Sequence, residues 1–129
     1  MDTETIEFID CLTHFFGCAP EVCGDSGLLF SSVSHVCEAH FSILQIDGVS
    51  AHPQQQFHIS VVTTSGFGFD ADMPLRAVGC QIDSLGTGRV LVLTLGEVRL
   101  TFQSENGIVK FAHLISSAKT TVNRKGSVK

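Results

Sequence analysis

Residues 89–115 decide how this chain folds: RVLVLTL (89–95), Gly96-Glu97, VRLTFQS (98–104), Glu105-Asn106-Gly107, then IVKFAHLI (108–115). Three apolar-rich segments separated by two turn signals make the pattern of an antiparallel meander. If Gly96-Glu97 is a two-residue loop, Leu95 sits opposite Val98, Leu93 opposite Leu100 and Leu91 opposite Phe102. Directly paired residues share a face and side chains alternate along a strand, so those six form one apolar side. The other side carries Val90, Val92, Thr94, Arg99, Thr101 and Gln103, a mixed surface. One long strand bent at Gly96 would instead split the apolar set between two faces and leave no polar side. Glycine at the first central position also suits a type II′ turn, so the hairpin is favoured. The same parity carried across the second turn adds Val109, Phe111, His113 and Ile115 to the apolar face. His113 is then expected to project toward the core.

Around this meander, 129 residues make one ordinary domain, large enough for a core without a metal or staple. Apolar residues make up 43% and charged residues 16%, a composition that folds. There are ten Phe and no Trp or Tyr, which removes the amphipathic aromatics that anchor many interfaces. A formal charge of −5 with eight Lys and Arg excludes nucleic acid and anionic membrane as default partners, since phosphate binding needs clustered cations. The opening Met-Asp-Thr-Glu-Thr is acidic where a secretory signal would be basic, and no apolar run approaches the ~18 residues of a membrane span. Five cysteines at irregular spacing fit reduced thiols better than a disulfide framework, so the expected location is cytoplasmic.

Upstream, Asp2–Phe16 reads as a helix with Ile6, Ile9, Leu12 and Phe16 as its apolar stripe, widened by Phe8 and Phe15. Asp2 or Thr3 can cap its start and Gly17 supplies the stop. Residues 18–27 (CAPEVCGDSG) read as a loop, then Leu28–Val33 and Val36–Ile46 as strands parted near Ser34-His35. Asp47–Gln56 reads as an exposed polar loop, Phe57–Thr63 as an alternating strand and residues 64–74 (TSGFGFDADMP) as a glycine-punctuated connection. Ala77–Ile82 reads as a short strand before a turn at 83–88. Residues 119–129 form an expected disordered basic tail, which leaves 1–118 as the domain. The fold class expected is α+β, an antiparallel sheet of about seven strands with the N-terminal helix across it. The alternative is a small barrel or sandwich capped by the helix.

Candidate chemistry is sparse. Cys18, Cys23, His35, Cys37 and His40 fall close together, but strand alternation turns His40 away from His35 and Cys37, and Cys18-x4-Cys23 is wider than a zinc knuckle. Cys37 with His40, or Cys80 with His113, could serve as nucleophile and base only if the fold joins them, and few cations are at hand to lower a thiol pKa. Asp70-Ala71-Asp72 resembles part of a calcium loop without its downstream Gly and Glu, and turn-forming aspartates are the simpler reading. No catalytic residue, metal or cofactor is expected, and the balance leans away from an enzyme.

Three functions remain as expectations, the last of them a metal- or thiol-dependent role for the Cys18, Cys23, His35, Cys37 and His40 cluster. The first is a small acidic non-enzymatic binding protein that acts through protein–protein contact, of adaptor, inhibitor, immunity or chaperone type, with another protein or a second copy as partner. The alternative is a small-molecule-binding domain or enzyme with an apolar pocket in a curved sheet closed by the helix. Its ligand, small and apolar, would meet His113, Phe111, Phe102, Leu100 and Asp70.

Overall fold

The computed structural model describes residues 3–24, 27–46, 54–106 and 108–116. The expected tail at 119–129, the cap candidate Asp2 and residues 47–53 of the expected loop lie outside them. Helix α1 spans Thr3–Phe16 and buries Phe8, Leu12, Phe15 and Phe16 together with Thr5. These positions recur every three or four residues, the period of one helix face. The stripe is rotated from the expected one, because Ile6 stands 46% exposed while the larger phenylalanine rings take the interior. Gly17 ends the helix in a left-handed conformation, φ 76, and its N–H donates to the Thr13 carbonyl at 2.9 Å.

Two antiparallel meanders follow. Strands β1 (Glu21–Cys23), β2 (Gly27–Val33), β3 (Cys37–Ile46), β4 (Gln54–Thr63) and β5 (Gly68–Pro74) form a five-stranded sheet in chain order. A 3-10 turn at Leu75–Ala77 leads to a four-stranded sheet of β6 (Val78–Leu85), β7 (Gly88–Leu95), β8 (Val98–Glu105) and β9 (Ile108–Ser116). The chain is therefore α+β and mostly antiparallel, as expected, with no closed barrel. Among the described residues there are nine strands rather than seven. The two extra ones are β1 and β5, both placed in segments whose Gly, Pro and Asp content reads as loop.

The interior is one cluster fed by the helix and both sheets. Cys37, Ala39, Phe41 and Ile43 of β3 and Phe57, Ile59 and Val61 of β4 line one wall. Leu91, Leu93, Leu95, Leu100, Phe102 and Val109 line the other. Rings bridge the layers: Phe8 meets Phe57 at 5.3 Å, Phe16 meets Phe30 and Phe41, and Phe41 meets Phe102 at 5.3 Å. Phenylalanine fills this space without an O–H or N–H that would need a partner there, which accounts for ten Phe with no Tyr or Trp.

In the meander the first hairpin has the expected register, Leu95↔Val98, Leu93↔Leu100 and Leu91↔Phe102. Gly96 has φ 65, and Asn106 is the only non-glycine with positive φ among the described residues, so Glu97 stays in the ordinary region as a type II′ turn requires. Across the second hairpin parity fails. Phe102 pairs with Phe111, but Thr101 pairs with His113, which leaves Ala112 as an extra residue in β9. Val109 and Phe111 keep the inner face. His113 and Ile115 turn outward, and Leu114 takes the position opposite Leu100. His113 is exposed, contrary to its expected place in the core.

Candidate functional site

The start of β3 is pinned by Ser34. Its N–H donates to the Cys37 carbonyl at 3.0 Å, and its hydroxyl accepts from the backbone N–H groups of Val36 and Cys37, both at 3.3 Å. A side chain answering its own backbone in this way fixes a tight turn. At the end of β4, Thr63 exchanges backbone bonds with Phe67: its N–H donates to the Phe67 carbonyl at 2.9 Å, and its hydroxyl accepts the Phe67 N–H at 3.1 Å. The Thr64 N–H reaches across to the Val36 carbonyl at 3.3 Å. The Phe67 ring, so placed, stacks on Phe111 of β9 at 4.2 Å and 8°.

These contacts frame a surface cleft of about 420 Å³ between the ends of the two sheets. Val36, Cys37, Phe67, Phe111 and Ala112 make its apolar walls, and Thr63, Thr64, Ser65 and Lys110 supply the polar groups. Lys110 is the one ionised side chain in the lining. Burial pushes the Cys37 thiol above its ordinary pKa, and a backbone hydrogen bond from Phe111 opposes this only in part. Cys37 therefore lines the cleft as a neutral thiol, a small apolar group rather than a nucleophile. The cleft suits an apolar moiety with a hydrogen-bonding or anionic edge facing the hydroxyls and Lys110.

Of the residues expected to bind a ligand, the structure brings only Phe111 to the cleft. Phe102 lies behind it, ring to ring at 5.6 Å, and both Phe102 and Leu100 are fully buried in the core. His113 stands on the far side of β9, and Asp70 on the outer face of β5. No residue of α1 lines the cleft, so the helix does not close it. Sequence reading missed Phe67, which sits in the connection between β4 and β5. Its signal was an apolar ring inside a glycine-rich stretch, too short to show a period.

The other candidates fall apart or reassemble. Cys37 faces the core while His40 points outward beside Glu38, at 3.6 Å. Cys18 and Cys23 are exposed. Cys80 approaches Cys11 of the helix, not His113. Asp70 and Asp72 are strand residues rather than turn residues, and they bracket His58 of β4. His58 Nδ1 lies 2.7 Å from Asp72 Oδ1, and Nε2 lies 3.6 Å from Asp70 Oδ2. Each ring nitrogen thus faces its own carboxylate. That is the arrangement of an imidazole bridging two aspartates across an exposed sheet face, and such surface pairs contribute little stability.

Comparison of the chain with models of known families, with curated proteins and with solved structures returns no match.

Proposed function

We propose that this chain is a non-enzymatic protein-binding domain that takes an extended segment of its partner beside β9. The observation that carries the reading is the position of the cleft against the terminal strand of a sheet. Among the described residues β9 pairs only with β8, and it leaves Ile108 (41%), Leu114 (36%) and Ile115 (49%) exposed. A terminal strand presents unpaired N–H and C=O groups, and an added strand gains main-chain hydrogen bonds there while a pocket selects one side chain. The cleft provides that pocket, with Lys110 at its rim.

A displayed library of extended peptides tests the reading. Selected peptides should shift the backbone NMR signals of Lys110–Ser116, Val36 and Thr63–Phe67, and Phe111→Ala should weaken them at least tenfold. Peptides that perturb only β1 or β5, or a library that yields no binder, would sink it. A second reading rests on the volume, since about 420 Å³ lies within the range of small-molecule sites. An apolar anilinonaphthalene probe that shifts the same signals while no peptide does would favour that alternative.

A further inference from the structure

Helix α1 and strand β6 bring together two cysteines that stand 69 positions apart in the chain. Their sulfurs lie 2.7 Å from each other, and each residue keeps part of its surface in solvent. We propose that Cys11 and Cys80 are a redox-active pair, and that oxidation by a small-molecule disulfide such as glutathione disulfide ties α1 covalently to β6. The remaining three cysteines make no comparable pair among the described residues.

Either S–H can donate to the other sulfur. As the acceptor, the Cys11 thiol is held below its ordinary pKa against the opposing effect of burial. The same contact, with burial, pushes the Cys80 thiol up. The sulfur that accepts is the one that ionises and attacks, and the roles can exchange; with Cys11 as acceptor, Cys11 is the attacking thiolate. It forms a bond to one sulfur of the small disulfide, whose S–S bond breaks, and the first thiolate leaves and takes up a proton. Cys80 then loses its proton to water and attacks the Cys11 sulfur of the mixed disulfide, expelling the second thiolate. The protein gives up two hydrogens and one small disulfide becomes two thiols.

The segment between the two cysteines contains the whole five-stranded sheet. Oxidation therefore encloses β1–β5 in a covalent ring and holds the helix to β6, the terminal strand on the far side of the second sheet from β9. Val78, Cys80 and Ile82 on the inner face of β6 are only half-buried, so the helix contact there is one that a covalent link would reinforce.

The full chain carrying Cys18→Ser and Cys23→Ser, both at exposed positions, tests this. Exposure to glutathione disulfide should lower its intact mass by about 2 Da and yield one cross-linked peptide joining Cys11 to Cys80, reversed by dithiothreitol. The melting temperature should rise on the order of 10 °C, because a long closed loop constrains the unfolded chain. With Cys80→Ser or Cys11→Ser the cross-link should be lost, and any glutathione taken up should remain attached to the cysteine that is left. Mapping on the parent chain needs neither of these two variants, so a failure of either to fold leaves the result readable. A cross-link to Cys37, or both thiols still open to iodoacetamide after oxidation, overturns the proposal.

Discussion

Cys37 shows how much one position can carry. It is 3% exposed, begins β3, and has its amide held by Ser34 and its thiol beside the Phe111 backbone. Its folded-state pKa is raised by burial, so the native state keeps a proton that the unfolded chain releases near pH 8.5. The sign follows: the contribution is fully present below the unfolded pKa and is lost as pH rises through the folded one. Urea midpoints should therefore fall as pH rises above about 8.5, and Cys37→Ala should flatten that fall relative to the parent. An unchanged slope in the variant would show that another group sets the alkaline limit. This protonation was not readable from sequence. Alternation along 37–43 gave the inward face of Cys37, but not its neighbour on β9.

Among the elements, β9 carries the main departure from expectation. The strand was legible from its apolar residues and its turn. The extra residue at Ala112 was not, since nothing in FAHLIS marks a bulge and either parity satisfies local propensity. Phe111 keeps the inner face against Phe67, Phe102 and the Cys37 thiol, and the extra residue after it sets Leu114, not His113, on the side of Leu100. His113→Leu is therefore expected to leave stability within about 0.5 kcal/mol of the parent in urea titration, as for an exposed site. A gain above ~1 kcal/mol would mean that the histidine faces the core after all. β5 was missed for a different reason. Phe69, Ala71 and Met73 do alternate with Gly68, Asp70 and Asp72, but a glycine, a proline and two aspartates outweigh so short a period.

At the scale of the whole molecule, the two sheets are separate ladders with a common interior. Phe41 touches Phe16, Phe57 and Phe102, so one ring joins the helix, the first sheet and the second. Phe41→Ala should cost about 3–5 kcal/mol, a large share of the stability of a domain this size. In calorimetry the parent should unfold in a single transition whose calorimetric and van't Hoff enthalpies agree. The variant should shift that transition downward without splitting it. Two resolved transitions would show that the sheets melt independently and that the shared interior does not couple them.

The sequence by itself determined the helix, the leucine hairpin at Gly96 and the inward faces of β3, β4, β7 and β8. Each of these follows from periodicity within a few residues or across one tight turn, where geometry leaves little choice. Tertiary structure alone decided the rest: the division into two sheets, the outward turn of His113, the cleft between β3, β4 and β9, and the meeting of Cys11 with Cys80. Those depend on which surfaces pack after the strands have formed, and contacts between residues 69 positions apart leave no mark on local pattern.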